Sequence, residues 1–133
     1  MKILIVGVGG VGGFLGSQLL KAGHDVFFVA RGKRFEFLSK HGLEVKSKLG
    51  NVKLDEINVL KTIPKKEKFD VIISTVKLYD FDDFISEIKN IQLSDTIILP
   101  FQNGIYSEQR IMEQFGKENT YGAVAQISSF INE

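Results

Sequence analysis

Cysteine is absent from the 133-residue sequence. Its absence excludes disulfide bonds, thiolate metal sites and cysteine nucleophiles from any account of this chain's fold or chemistry. A chain without cysteine also fits a reducing compartment. Whatever chemistry the sequence carries must therefore come from other side chains and from the backbone.

The sequence also lacks an appreciable net charge and a long apolar run. Its 17 basic and 16 acidic side chains leave a formal charge of +1, so no overall field would attract nucleic acid or an anionic membrane. The first apolar run, at residues 3–6, is much shorter than the apolar part of a signal sequence, and no later run approaches the roughly 18 apolar residues of a membrane span. We expect a soluble, cytoplasmic protein that binds neither nucleic acid nor membrane.

Length and composition fit one globular domain. Hydrophobic residues make up 44% of the chain and charged residues 25%, which excludes a disordered or collagen-like chain. A chain of this size buries roughly two thirds of its unfolded surface in one core. We therefore expect residues 1–133 to form a single domain.

The first 30 residues predict a strand, a glycine turn, a helix and a second strand. Residues 2–6 are apolar and rich in β-branched side chains, which is typical of a strand buried on both faces of a parallel sheet. Large apolar side chains then recur at helical spacing over residues 10–22, and Ala22-Gly23 provides a stop. With a further apolar run at 26–30, the segment reads as a right-handed βαβ unit.

The rest of the chain continues this alternation. Residues 31–40 fit a short helix, whereas the alternating apolar side chains of 42–60 around Gly50-Asn51 favour a hairpin. The pattern as a whole predicts a Rossmann-like, doubly wound α/β domain with a mainly parallel sheet and helices on both faces. Its further strands are predicted at 70–75, 96–99 and 120–127, and its further helices at 81–91 and 107–115.

The turn after the first predicted strand matches the pattern G-x-G-x-x-G. The pattern alone is unspecific and also fits a flexible turn, but here it follows a strand and opens a helix. In that position the first glycine permits the tight turn, the second lets a pyrophosphate approach the backbone, and the third lets helix and strand pack closely. The helix N-terminus adds free N–H groups and a partial positive charge. These candidate cofactor-binding residues are Gly7, Val8, Gly9, Gly10, Val11 and Gly12.

Arg31 stands where an NAD-specific domain carries an acidic residue. That acid ends the second strand, about 20 residues past the glycines, and accepts the ribose hydroxyls. An arginine cannot accept those bonds but can pair with a 2′-phosphate through two N–H groups, which favours NADPH as the cofactor. Lys33 and Arg34 add local positive charge. A solvated basic loop is the alternative interpretation.

Two further candidates follow later strands at the same predicted edge of the sheet. Lys77 comes after the strand at 70–75, where its ammonium group could face ribose hydroxyls or a substrate carboxylate, although a lysine after a strand is more often a surface charge. Asn103 follows the strand at 96–99, where its amide could orient a ribose or a reacting carbonyl. Asn103-Gly104 is also explained by a turn alone.

The two histidines are interpreted as structural. His24 and His41 fall in predicted surface turns, and neither has a paired carboxylate or a spacing that suits a metal. We predict no metal site.

The ordered set of motifs resembles the ketopantoate reductase family, whose members reduce 2-dehydropantoate to pantoate with NADPH on the way to pantothenate and coenzyme A. The resemblance covers essentially the whole chain. It is carried by MKILIVGVGGVGG at the start, GHDV leading to Arg31, the turn Gly42-Leu43, STVK ending at Lys77, and QNG at 102–104.

This resemblance implies roles for individual residues. Gly7 to Gly12 would hold the pyrophosphate and Arg31 the 2′-phosphate. Lys77 and Asn103 would lie at the nicotinamide end, with Asn103 also close to a 2-oxo acid substrate, so both are tentative catalytic residues. Ser128 falls near a backbone contact to the cofactor in a looser part of the alignment.

The family's proton-donating lysine and substrate-binding glutamate belong to a helical C-terminal domain that has no counterpart in this sequence. Reductase activity of the chain alone is therefore not expected. Three interpretations stay open: a dissected reductase, a stand-alone NADPH-binding sensor or partner subunit, and a Rossmann-like domain without a dinucleotide. Apolar surface left uncovered by the absent domain could also drive homo-oligomerisation.

Overall fold

A computed structural model describes residues 1–91, 93–102, 105–125, 129 and 131. Within them the chain forms a five-stranded sheet, a two-stranded sheet and four α-helices. The strands are β1 (Lys2–Val6), β2 (Asp25–Val29), β3 (Leu43–Val45), β4 (Val52–Leu54), β5 (Asn58–Leu60), β6 (Val71–Ser74) and β7 (Ile97–Pro100). The helices are α1 (Gly10–Lys21), α2 (Gly32–His41), α3 (Phe81–Ile88) and α4 (Tyr106–Phe115).

The large sheet is parallel throughout and has the order β5-β2-β1-β6-β7. The chain therefore winds outward from β1 in one direction and then returns to build β6 and β7 on the other side. This reversal is the defining feature of a doubly wound sheet, and it confirms the predicted Rossmann-like class.

Alternate residues of the central strands serve two separate cores. In β1, Ile3 and Ile5 belong to the cluster that packs with α1 and α2, whereas Leu4 and Val6 belong to the cluster that packs with α3 and α4. Successive strand side chains point to opposite faces. The continuous apolar run of β1 is thus explained by helices on both faces of the sheet, as predicted.

Helix α1 approaches the sheet through small residues, not through its leucines. Its buried residues are Gly12, Gly13, Gly16 and Ser17. A Cβ at Gly16 would lie 2.2 Å from the ring of Phe28 in β2, so only glycine fits there. The larger side chains at 15, 19 and 20 pack at the edge of the cluster. The helical spacing in the sequence predicted the helix correctly, but it did not indicate these small contact residues.

The predicted hairpin is only partly correct. β3 and β4 pair antiparallel as predicted, but Val59 lies in β5, which pairs with β2 in parallel and forms the edge of the large sheet. Both arrangements bury alternate apolar residues, so the period of the sequence does not distinguish them. The edge of β2 offers β5 backbone hydrogen-bond partners as well as apolar burial. These backbone partners favour the parallel pairing over a hairpin.

The predicted strand at 120–127 is wrong over its described part. Thr120 makes a single parallel bridge to Ile98, and residues 121–125 contain no strand. Tyr121 and Val124 are 55% and 82% exposed, so these apolar side chains face no sheet or helix layer. Residues 126 and 127 lie outside the described part of the chain.

The helices are short, the longest being the 12 residues of α1. No helix in the described ranges is long and apolar enough to cross a membrane. On the outer surface Arg110 of α4 donates to Asp82 of α3 at 3.2 Å. This hydrogen bond to a carboxylate raises the pKa of the Arg110 guanidinium.

Candidate functional site

The carboxyl ends of the parallel strands bring most of the candidate residues to one edge of the sheet. Gly7 follows β1, Arg31 lies two residues after β2, and Lys77 lies three residues after β6. β1 and β6 are neighbours, and the direction of winding reverses between them. In open α/β sheets this is where ligands bind, so the crevice at β1 and β6 is the candidate site.

The glycine turn packs closely against the residues that follow β6. Gly7 has φ +96°, and a Cβ there would lie 2.9 Å from the backbone nitrogen of Val76. A Cβ at Gly12 would lie 2.1 Å from the Gly7 carbonyl oxygen and 2.6 Å from Thr75 Oγ1. Because Thr75 Oγ1 also donates to that carbonyl at 2.5 Å, the first and third glycines are required by packing between protein groups.

Gly9 differs from these two glycines because a Cβ there would meet nothing within 4 Å. It is the N-cap of α1, no side chain caps the helix, and the first turn contains no acidic residue. The first N–H groups of a helix have no intrahelical acceptor. Among the described residues the turn thus presents open space, N–H donors without a side-chain cap and the positive end of a helix dipole, which are the features that suit a pyrophosphate.

Arg31 lies at the predicted place, but its side chain has a partner. It is the N-cap residue of α2 with extended backbone, and its Nη2 forms an ion pair with Glu87 Oε1 of α3. The side chains of Arg31 and Glu87 are 55% and 26% exposed. Arg31 is therefore accessible from solvent yet paired with an acid that the sequence analysis did not consider.

Arg34, which the sequence analysis counted only as nearby charge, contacts the glycine turn directly. Its Nε donates to the carbonyl oxygen of Val8 at 2.8 Å, and its guanidinium lies 5.8 Å from the ring centroid of Phe37. Arg34 thereby ties the turn to α2. Lys33 is exposed.

Lys77 immediately precedes a single 3₁₀ turn, Leu78–Asp80, and its side chain is exposed. The described part of the chain shows no ion pair for it. Leu78 and Tyr79 are also exposed, at 50% and 83%. The structure thus places Lys77 at the crevice edge without fixing its ammonium group, and this arrangement is compatible with either of the two interpretations of this lysine.

Gln102 is a residue of the site that sequence reasoning missed. It is buried after β7, and its Nε2 donates to the Ser74 carbonyl oxygen at 3.2 Å, to Ser74 Oγ at 3.0 Å and to the Val76 carbonyl oxygen at 2.9 Å. It therefore holds the segment that carries Thr75 and Lys77. The only sequence signal for Gln102 was its place in the QNG tripeptide, in which Asn103 was taken as the candidate residue.

Two predicted site residues, Asn103 of the nicotinamide end and Ser128 of the looser backbone contact, fall outside the described residues, as does Gly104 next to Asn103. The adjacent Ser129 is described, and its Oγ would lie 2.5 Å from a Cβ at Gly10. A side chain at position 10, at the start of α1, would therefore collide with Ser129.

A cavity of about 640 Å³ opens on the other side of the glycine turn, between α1, α2 and the hairpin of β3 and β4. Gly9, Gly10 and Arg34 line it together with Lys46 and Lys48 of the hairpin turn. Arg31 and Lys77 do not line it. The predicted residues accordingly divide between two surfaces that share the glycine turn.

Parallel doubly wound topology and a glycine turn opening α1 define a Rossmann-type domain. The sequence matches the family described as ketopantoate reductase PanE/ApbA over residues 3–133. The chain therefore belongs to the ketopantoate reductase family.

Individual relatives agree with this assignment. The chain is 39% identical over 128 residues to a 2-dehydropantoate 2-reductase of Pyrococcus horikoshii, covering 93% of this chain and 41% of the relative. The crystal structure of 2-dehydropantoate 2-reductase from Methylococcus capsulatus superposes with a TM-score of 0.81 at 26% identity, covering 96% of this chain and 42% of that chain. A ternary structure of D-mandelate dehydrogenase with NADH and anilino(oxo)acetate gives 0.82 at 25% identity, covering 93% and 40%.

The match is to one part of these proteins. The chain spans about two fifths of the length of the curated relatives it matches.

Proposed function

We propose that residues 1–133 are the NADPH-binding domain of a ketopantoate reductase-like oxidoreductase. The observation that carries this proposal is the contrast among the glycines of the turn. Gly7 and Gly12 are required by contacts with protein atoms, whereas Gly9 faces open space. No contact with protein atoms explains the absence of a side chain at Gly9. The close approach of a pyrophosphate to the backbone would explain it.

In this proposal each part of the crevice has its own task. The N–H groups at the start of α1 bind the pyrophosphate, and Arg31 binds the 2′-phosphate. Lys77 and Asn103 lie toward the nicotinamide end, with Ser128 as a further backbone contact. When bound, the cofactor would supply a hydride to the carbonyl carbon of a 2-oxo acid, with 2-dehydropantoate as the proposed substrate.

Reduction of a ketone also requires a proton donor for the developing alkoxide, and general acid catalysis of this kind contributes roughly 10² to 10⁴-fold. Lys77 is exposed and has no surroundings that bury it. We therefore propose that the chain binds the cofactor but does not complete the reaction by itself. Relatives that are more than twice as long have additional chain that could supply the missing groups.

Titration of the 133-residue chain with NADPH, followed by nicotinamide fluorescence, tests the cofactor assignment. We expect saturable binding in the micromolar range or weaker. Gly9→Ala should weaken binding without lowering the melting temperature, because its Cβ meets no protein atom within 4 Å. Gly122→Ala, at another open glycine, is the matched control and should change neither. Absence of a saturable signal up to about 1 mM, a binding free energy near 4 kcal/mol, would defeat the proposal.

A further inference from the structure

The proposed role of Arg31 leaves its ion pair with Glu87 unexplained. A side chain that only received a phosphate would need no acidic partner in the same domain. Glu87 belongs to α3, whose Phe81, Phe84 and Ile88 pack into the core. Its carboxylate forms the ion pair with Nη2 of Arg31, which lies two residues after the end of β2.

We propose that Glu87 is a specificity-determining residue, which competes with the 2′-phosphate for Arg31 and so reduces the preference for NADPH over NADH. This inference rests on the proposed cofactor-binding function. Glu87 would act through Arg31 without contact to the reacting atoms.

The position of Glu87 along α3 supports competition over simple support. α3 begins near the carboxyl end of β6, and Glu87 comes six residues after Phe81, which is about 9 Å along a helix axis. The ion pair therefore joins the guanidinium to a residue of α3 and not to the glycine turn or Lys77 at the carboxyl edge. To reach a phosphate at that edge, Arg31 has to leave Glu87 or share its charge with it.

Charge makes the effect selective for one cofactor. A phosphate monoester carries roughly −1.5 to −2 charge at pH 7, so it is repelled by the Glu87 carboxylate as well as deprived of Arg31. NADH carries uncharged hydroxyls at the corresponding place. Removing the charge of Glu87 should therefore strengthen the binding of NADPH and leave that of NADH nearly unchanged.

The test compares the dissociation constants of NADPH and NADH for the wild-type chain, Glu87→Gln and Asp83→Asn. Asp83 is exposed on the same helix, and no ion pair is seen for it in the described part of the chain. Glu87→Gln should tighten NADPH binding about threefold to tenfold, in line with the small value of an exposed ion pair plus relief of repulsion, and shift NADH by less than about twofold. Asp83→Asn should shift both by less than about twofold.

Two further measurements separate this mechanism from a structural effect. In the Arg31→Ala background, the gain from Glu87→Gln should fall below about twofold, because coupled residues are not additive. Raising the salt concentration should also shrink the gain, since exposed charges are screened. Glu87→Asp keeps the charge and shortens the side chain, so it should give an intermediate gain and provides a second variant if the glutamine variant is unstable.

The possible outcomes are distinct. Weaker NADPH binding by Glu87→Gln would overturn the inference, because Glu87 would then position Arg31 for the phosphate. Equal shifts for NADPH and NADH would overturn it as well, since they would indicate a structural role. If neither cofactor binds the wild-type chain or any variant, the proposed function fails and the inference with it.

Discussion

Replacing Arg31 by alanine should weaken the binding of NADPH and leave that of NADH almost unchanged. Arg31 is the N-cap residue of α2, but its side chain makes no capping hydrogen bond, so truncation removes no support from the helix. The ion pair with Glu87 is lost, yet both partners remain accessible to water. The fold should therefore tolerate the change, and the effect should be confined to the 2′-phosphate.

The expected size follows from two opposing terms. A hydrogen bond to a charged group contributes about 1.5 to 3 kcal/mol, and the exposed ion pair that Arg31 gives up is worth about 0.2 to 1 kcal/mol. The net loss for NADPH should then be about 0.5 to 3 kcal/mol, or roughly twofold to a hundredfold in Kd. The pair with Glu87 thus makes Arg31 a weaker determinant than its charge alone suggests.

Fluorescence titration with both cofactors at one fixed salt concentration measures this difference. Lys33→Ala is the matched control, because it removes one positive charge from the first turn of α2, near Arg31, and its side chain is exposed. We expect the control to weaken NADPH binding less than Arg31→Ala does. Equal losses for NADPH and NADH in Arg31→Ala, or equal effects of the two variants, would refute the assignment of Arg31 to the 2′-phosphate.

Three other predictions concern the turn, its supports and the reaction. Gly12→Ala should lower the free energy of unfolding by about 1 to 3 kcal/mol, because its Cβ would lie 2.1 Å from the Gly7 carbonyl oxygen; an unchanged urea midpoint would contradict this packing. Gln102→Leu should cost a similar amount, about 1 to 3 kcal/mol, since the Val76 carbonyl oxygen loses its donor, whereas exposed Gln109→Leu should be neutral in the same urea assay. The chain alone should not oxidise NADPH when 2-dehydropantoate is added, and steady turnover above the buffer blank would show that it is a complete reductase.

The sequence predicted those elements whose signals are local. β1, β2, β6 and β7 are short apolar runs, and each lies within one residue of its predicted start. Gly23 ends α1 as predicted, with φ +91° and the N–H of His24 bonded to the Leu19 carbonyl oxygen at 3.1 Å. These features depend on neighbouring residues, so a single sequence is enough to find them.

The errors in the predicted fold arise where contacts with residues distant in the sequence determine the structure. Val59 satisfies the same alternation in a hairpin as at the edge of a parallel sheet, and only the presence of β2 selects the latter. The small residues through which α1 approaches the sheet are likewise not indicated by helical spacing alone. Gly16 is buried because α1 packs there against the ring of Phe28 in β2. The sequence alone does not identify that neighbour.

The candidate site also divides into residues with a local sequence signal and residues without one. Gly7 to Gly12, Arg31 and Lys77 were predicted as site residues because each follows a predicted strand. Their partners were not, because Thr75, Gln102 and Glu87 are polar residues without a distinctive pattern. Their contacts with the glycine turn, with the segment after β6 and with Arg31 join residues that are distant in the chain.

These contacts also distribute affinity and selectivity unequally over the proposed cofactor site. The pyrophosphate end is backbone, held by Thr75, Arg34 and the packing of Gly12, so little ordering is required when a ligand binds and few substitutions can alter it without disturbing the fold. The 2′ end depends on Arg31, an exposed side chain that already has a partner. Since a change at Glu87 alters that partner without touching the turn, the preference between NADPH and NADH can shift while the affinity for the shared part of the cofactor stays fixed. If the proposed site binds the cofactor, we therefore expect its selectivity to be more easily changed by mutation than binding itself.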